Sequence, residues 1–97
     1  MTITRRLIIR GRVQAVGYRD SMVAAAQALH IAGWVRNRRD GTVEALVQGS
    51  APSVDRIIDW ARRGPQMAKV ENVDVVAVVE SEIPTGFHML PTQQRQL

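Results

Sequence analysis

Along this chain, the spacing of apolar residues alternates between the period of a strand and the period of a helix. The order in which these segments follow one another constrains the fold more than any other feature. Residues 6–13 alternate apolar and polar side chains, which predicts a first strand. Residues 18–32 carry apolar side chains at helical spacing and several alanines, so we expect a helix that ends at Gly33.

A pair of strands is predicted next. Residues 33–38 and 42–48 both have strand character, and Asp40-Gly41 lies between them. This dipeptide favours a hairpin because it tolerates the positive φ that tight hairpin turns require. The two strands are therefore expected to pair in antiparallel fashion.

A second helix and further strands complete the chain. Ser50 or Ser53 can cap the helix, and Gly64-Pro65 ends it. Residues 70–79 are dense in valine, which predicts a largely buried strand, whereas residues 87–90 are at most a short edge strand.

The complete order of elements predicts an α+β fold, the ferredoxin-like split βαβ sandwich, with two helices packed on one face of an antiparallel sheet. A length of 97 residues is sufficient for a single domain over residues 1–97. Its core is expected to cover about residues 5–91, followed by a tail at 92–97 that is frayed from Gln93. This fold serves many unrelated functions, so it does not settle the chemistry.

Composition excludes several kinds of site. The chain has no cysteine, which rules out disulfides, thiolate catalysis and cysteine-ligated metals. The N-terminal residues do not resemble a secretory signal. The longest apolar run, Val75 to Val79, is far shorter than the roughly 18 residues of a membrane-spanning helix. We therefore expect a cytoplasmic protein with no membrane partner.

The net charge of +4 is by itself weak evidence for nucleic-acid binding. The arginines are spread along the chain among acidic residues such as Glu44 and Asp59, so they form no single basic stripe. Only 4% of the residues are aromatic, which leaves few platforms for stacking bases. Both observations argue against a nucleic-acid partner.

The segment GRVQAVGYR, residues 11–19, is typical of an anion-binding turn between a strand end and a helix start. Backbone N–H groups in the first turn of a helix have no intrahelical acceptor and lie at the positive end of its dipole. Arg19 adds a guanidinium to this group of donors, where a cation without an anion would be disfavoured. The segment therefore predicts a phosphate site formed by Gln14, Ala15, Val16, Gly17, Tyr18 and Arg19.

Other polar residues give weaker signals. Asn37, on spacing alone, is a polar residue that approaches a turn. His30 and His88 are far apart in sequence and have no carboxylate at ligand spacing, so no metal site or cofactor is predicted. Ser21 lies in no motif that would activate a hydroxyl nucleophile.

Residues 11–19, together with GWVRNRRDGTVE at residues 33–44, resemble the two signatures of the acylphosphatase family. The resemblance implies the fold inferred above and the hydrolysis of acyl phosphates to a carboxylate and inorganic phosphate. Arg19 falls on the family's catalytic arginine, and Asn37 falls on its catalytic asparagine. Ala15 departs from the glycine that the family commonly has, and a left-handed conformation there would cost on the order of 1 kcal/mol.

The resemblance also predicts the partners. They are a small-molecule acyl phosphate as substrate, with inorganic phosphate as product and inhibitor, and we expect a monomer without a cofactor. The phosphoryl group would be bound by the loop and Arg19, while Asn37 would position the attacking water. The alternatives are a non-catalytic module that binds phosphate or nucleic acid, and a hydrolase of another phosphate.

Overall fold

The computed structural model describes residues 1–79 and 82–93. The predicted order of elements is confirmed, including the short edge strand near the C-terminus: β1 (Thr2–Arg12), α1 (Tyr18–Ala28), β2 (Ala32–Asn37), β3 (Val43–Ser50), α2 (Ala51–Arg63), β4 (Lys69–Ala77) and β5 (Phe87–Met89). The strands form one sheet in the order β4-β1-β3-β2-β5. No helix among the described residues is long and apolar enough to cross a membrane.

The arrangement of the strands determines which loops meet. β3 lies between β1 and β2 and is antiparallel to both, so β1 and β2 run parallel and end at the same edge of the sheet. We call this edge, which contains Arg12, Asn37 and Val43, the site edge. β5 pairs in parallel with β2, so the sheet is mixed and not purely antiparallel as predicted.

Both helices pack on one face of the sheet. Alternate residues of β3, namely Val43, Ala45 and Val47, are fully buried in the core on this face. Met22 and Ala26 of α1 and Val54, Ile57 and Ala61 of α2 supply the helical side of the core. These helical residues recur every three or four positions, which is the spacing that turns one face of a helix towards a sheet.

Ser50 caps α2, which settles the choice between the two serines that the sequence left open. The backbone N–H of Ser53 donates to Ser50 Oγ at 3.3 Å, and Ser53 itself lies inside the helix. Gly64 follows the helix with a φ of 67°. A Cβ at Gly64 would lie 2.9 Å from the Tyr18 ring, so a side chain at this position would displace the start of α1.

α1 ends earlier than the sequence predicted. His30 adopts a left-handed φ of 57° directly after the helix. The backbone N–H of His30 donates to Gln27 O at 3.1 Å, and that of Ile31 donates to Ala26 O at 2.9 Å. This is the Schellman arrangement that ends a helix, with histidine at the position where glycine is usual. Gly33, predicted as the stop, instead lies in β2, where a Cβ would clash with the Leu46 carbonyl oxygen.

The prediction that residues 70–79 form a largely buried strand is wrong. β4 lies at one edge of the sheet, and Val73 is its only buried residue. Val76 is 51% exposed. The valine-rich sequence reflects the preference of β-branched residues for strands, which holds at an edge as it does in the centre.

A buried carboxylate lies on the face of the sheet opposite the helices. Glu44 is only 3% exposed, and its two oxygens accept hydrogen bonds from Arg6 Nε at 2.6 Å and Arg36 Nε at 2.8 Å. The Arg36 guanidinium also lies 4.7 Å from the centre of the Trp34 ring. Burial raises the pKa of Glu44, but the hydrogen bonds from Arg36 and Arg6 outweigh burial and hold this pKa below its ordinary value.

Glu44 is expected to make the free energy of unfolding depend on acid. Because its pKa is lowered in the folded protein, its contribution is present above the unfolded-state pKa of about 4.3 and is lost as the pH falls through the folded-state pKa. We expect Glu44→Gln to lower the free energy of unfolding by about 2 kcal/mol at pH 7. Urea denaturation of both proteins at pH 7 and pH 3 checks this. A difference between them that stays constant with pH would contradict the assignment.

Candidate active site

The loop between β1 and α1 is anchored in the core at both ends. Val13 and Tyr18 are each 1% exposed and lie on either side of residues 14–17. The Tyr18 hydroxyl donates a hydrogen bond to Ala61 O at 2.7 Å, and its ring centre lies 5.3 Å from that of Trp60. Burial raises the pKa of Tyr18 far above its ordinary value, so it stays a neutral donor. These contacts hold the start of α1 against α2.

The loop presents free backbone donors. Gly17 precedes α1 with a left-handed φ of 77°, and no side chain among the described residues accepts a hydrogen bond from the first N–H groups of the helix. Those N–H groups are therefore left for a ligand. Arg19 lies in this first turn and is partly exposed, and its guanidinium makes no hydrogen bond or ion pair with residues 1–79 and 82–93. Asp20 is the acidic residue of the same turn.

Ala15 adopts a left-handed backbone conformation. Its φ is 61°, a region that costs a residue with a Cβ roughly 1 kcal/mol or more. Ala15 is exposed, so a glycine there would lose no packing. The chain thus keeps the left-handed loop conformation without the glycine that is common in the family.

We expect Ala15→Gly to raise the free energy of unfolding by about 0.5–1 kcal/mol, because relief of the left-handed conformation exceeds the added freedom of the unfolded chain. Ala24→Gly provides a matched control on an exposed position of α1, where the same change should cost about 1 kcal/mol. Urea denaturation of the wild type and the two variants measures both changes in the free energy of unfolding. Destabilisation by Ala15→Gly would show that the loop does not adopt this conformation in solution.

Asn37 is the last residue of β2 and lies at the site edge. In the alternation of the strand it shares the helix-facing side with Val35, which is fully buried. Asn37 Oδ1 is buried, and no donor among the described residues reaches it. Buried acceptors are almost always hydrogen-bonded, so this oxygen points to a bound water or ligand at this position.

Two hydrogen bonds with Gln93 hold the chain around Asn37. The N–H of Gln93 donates to Asn37 O at 2.9 Å, and Arg38 Nε donates to Gln93 Oε1 at 3.3 Å. Gln93 was predicted to be frayed and instead pairs with Arg38, while residues 94–97 of the predicted tail lie outside the described residues. A sequence pattern gives no signal for this contact because it joins residues 55 positions apart.

The structure brings the loop and Asn37 together at the site edge. Gln14 Nε2 donates to Arg38 O at 2.8 Å and to Thr42 O at 2.9 Å, so the loop contacts the β2–β3 hairpin directly. The sequence predicts a role for Gln14 in the site only through its backbone N–H group. Its side chain instead connects the two segments that carry Arg19 and Asn37.

The hairpin has a longer turn than a two-residue loop. The N–H of Gly41 donates to Arg38 O at 3.2 Å, and the N–H of Arg38 donates to Thr42 O at 2.9 Å. Gly41 has a φ of 93°, whereas Asp40 is not in the left-handed region. Asp40 accepts hydrogen bonds from the Thr42 side chain and backbone, which lower the pKa of its carboxyl group.

The hydrogen bonds of the two histidines go to residues outside the site. His88 Nε2 lies 2.6 Å from Thr85 O, and His30 ends α1. Within the part of the chain that the structure describes, no three histidine or acidic side chains are grouped so that they could hold a metal ion.

Comparison with known proteins gives a consistent result. The acylphosphatase family model matches residues 5–89. An acylphosphatase of Acidovorax sp. (strain JS42) is 60% identical over 74 residues, which is 76% of each chain. One from Azoarcus sp. (strain BH72) is 50% identical over 92 residues, covering 94% of this chain and 93% of the relative.

A solved structure agrees in fold as well as in sequence. The crystal structure of acylphosphatase from Bacillus subtilis is 32% identical, with a TM-score of 0.86, and the match covers 93% of this chain and 99% of that chain. The family model extends across both the loop at residues 14–19 and the hairpin after Asn37. On this evidence the chain belongs to the acylphosphatase family.

Proposed function

We propose that this protein hydrolyses acyl phosphates by binding the phosphoryl group in the loop of residues 14–19 and attacking it with a water molecule held by Asn37, without a metal ion. The hydrolysis of acyl phosphates is the activity of the family, and the residue roles are our inference. One observation carries them. Asn37 Oδ1 is a buried acceptor without a partner among the described residues, at the same edge as an uncapped helix start.

The loop suits a phosphoryl group because its donors are already in place. The N–H groups at the start of α1 have no side-chain acceptor in the part of the chain that the structure describes, and the dipole of an 11-residue helix favours an anion there. Arg19 adds charge-assisted hydrogen bonds from a planar guanidinium. Together these donors would stabilise the negative charge on the equatorial oxygens as the bond to the leaving group breaks.

Asn37 is suited to orienting a water rather than ionising it. A carboxamide oxygen accepts hydrogen bonds and takes up no proton near neutral pH. A water that donates one O–H to Asn37 Oδ1 keeps a lone pair free to attack phosphorus. Holding this water in line with the breaking bond lowers the entropic cost of bringing the reactants together.

The leaving group needs no acid catalyst. It departs as a carboxylate whose conjugate acid has a pKa of roughly 4, so it is stable without a proton at neutral pH. The proton of the attacking water can pass to an oxygen of the phosphoryl group. The reaction therefore yields a carboxylate and inorganic phosphate without a titrating side chain.

The test is hydrolysis of an aromatic acyl phosphate, corrected for spontaneous decay, in the presence and absence of a chelator. We expect the same rate under both conditions and a nearly flat profile between about pH 5 and 8, because guanidinium and carboxamide groups do not titrate there. A rate that collapses with chelator would contradict the metal-free mechanism. A bell-shaped profile with a histidine-like limb would contradict the roles given to Arg19 and Asn37.

A small acyl phosphate, rather than a nucleic acid, is the partner we propose. Three arginines on the sheet face opposite the helices are paired with acids: Arg6 and Arg36 with Glu44, and Arg10 with Asp74 at 3.4 Å. Such pairing leaves little free positive charge on that face for a phosphate backbone. The monomeric state and the cytoplasmic location expected from the sequence stay predictions.

A further inference from the structure

We propose that the side chain of Gln14 is a positioning residue that sets the place of Asn37 relative to the phosphate-binding loop. This inference rests on the proposed function. It assigns the Gln14 carboxamide a role distinct from that of its backbone N–H, since the side chain is turned towards the hairpin and bonded there.

The two hydrogen bonds of Gln14 end on the two arms of the hairpin, one position beyond the pair formed by Asn37 and Val43. Arg38, whose carbonyl accepts the first bond at 2.8 Å, directly follows Asn37 in the chain. Thr42, whose carbonyl accepts the second bond at 2.9 Å, directly precedes Val43, the register partner of Asn37. Both N–H bonds of one carboxamide are thus used on the strand pair that carries Asn37.

Sheet pairing does not provide this connection. The register between β1 and β3 ends at Ile9 and Val43, so β1 continues to the loop without pairing to the hairpin. Within the described part of the chain, the bonds of Gln14 are the hydrogen bonds that join residues 13–17 to residues 36–43. Apart from packing in the core, the hydrogen bonds that fix the separation of the two halves of the site therefore come from one side chain.

Loss of the two Gln14 hydrogen bonds should lower the rate of the reaction more than it lowers the affinity for phosphate. The start of α1, with its N–H groups and Arg19, is held independently by buried Val13 and by the Tyr18 hydrogen bond to Ala61. Asn37 would keep its strand but lose its fixed distance to the bound phosphoryl group. A displacement of about 1 Å between a positioned water and its target can cost about 100-fold in rate.

The test compares Gln14→Met, which keeps side-chain length and removes both donors, with Gln48→Met as a matched control. Gln48 Nε2 donates to Thr4 Oγ1 at 2.9 Å, and Gln48 pairs with Ala32 at the opposite end of β2 from Asn37. We expect Gln14→Met to lower kcat about 10- to 100-fold with less than about a twofold change in inhibition by inorganic phosphate. Gln48→Met should leave kcat within about twofold, at a comparable loss of stability in urea.

A double-mutant cycle separates positioning from general damage. In the Asn37→Ala background, Gln14→Met should change kcat by less than about twofold, because the group it positions is gone. Equal factors in both backgrounds, or a loss of phosphate inhibition as large as the loss of kcat, would overturn the proposal. Gln14→Asn, whose shorter carboxamide can reach at most one of the carbonyls, gives the same test if Gln14→Met does not fold.

This design distinguishes the inference from the function on which it rests. If Arg19→Ala and Asn37→Ala leave turnover intact, the proposed mechanism fails. If both lower turnover as expected while the Gln14 cycle is additive, only the positioning role fails.

Discussion

Arg19→Ala is expected to lower kcat/KM for an acyl phosphate by about 1000-fold and to weaken inhibition by inorganic phosphate as well. The guanidinium would contact the phosphoryl oxygens both in the bound substrate and in the transition state, so its removal affects binding and rate together. The Arg19 guanidinium makes no hydrogen bond or ion pair with the described residues, and the free energy of unfolding should therefore change little.

Two further variants sharpen this test. Arg19→Lys keeps the charge but loses the planar pair of donors, so it should recover only part of the lost phosphate binding. Arg56→Ala removes an exposed arginine from α2 and should leave both constants unchanged. Steady-state kinetics with phosphate as inhibitor measure all three. Full activity in Arg19→Ala would exclude the guanidinium from the reaction.

Asn37→Ala is expected to lower kcat by about 100- to 1000-fold while inhibition by inorganic phosphate stays within about twofold. Its role is to orient the water, which contributes to the transition state and not to phosphate binding. Asn72→Ala, which removes an exposed carboxamide on β4, is the matched control and should keep full activity. Equal loss of phosphate affinity in the Arg19 and Asn37 variants would contradict the division of roles.

Asn37→Ala should not destabilise the protein. Asn37 Oδ1 is buried without a donor among the described residues, and a buried unpaired acceptor costs about 1–3 kcal/mol. Removing it is expected to leave the free energy of unfolding equal or higher, as is common where a residue is kept for activity at the expense of stability. Urea denaturation of Asn37→Ala and the wild type checks this. A clear loss of stability would indicate a structural role for the carboxamide.

The two active-site segments differ in how far sequence could predict them. The segment at residues 11–19 contains a strand end, a turn and a helix start, so its free N–H groups and Arg19 follow from local rules for helix termini. Asn37 by itself is an unremarkable polar residue at a strand end, and only the resemblance to a family identified it. Its unpaired buried oxygen depends on burial by neighbouring segments, which spacing along the chain does not reveal.

Two predictions, the end of α1 and the conformation of the hairpin turn, differ from the structure by a few residues for reasons that lie in the local sequence. The alanine-rich pattern extends to Ala32, and glycine is the usual helix stop, so the end of α1 was placed at Gly33 instead of at the left-handed His30. The hairpin was located correctly from Asp40-Gly41, although only Gly41 takes a positive φ. Both cases show that composition identifies an element more reliably than it identifies the residue at which that element ends.

The sequence by itself determined the order of strands and helices, the presence of a serine cap on the second helix, and the position of Arg19 at a helix start, because these depend on neighbours within a few residues. Tertiary structure alone decided that β4 is an exposed edge, that Gln93 pairs with Arg38, and that Gln14 joins the loop to the hairpin. Each of these depends on strand order and on contacts between residues far apart in the chain. Such contacts form only when the whole sheet assembles, and the spacing of apolar and polar residues along the chain does not predict them.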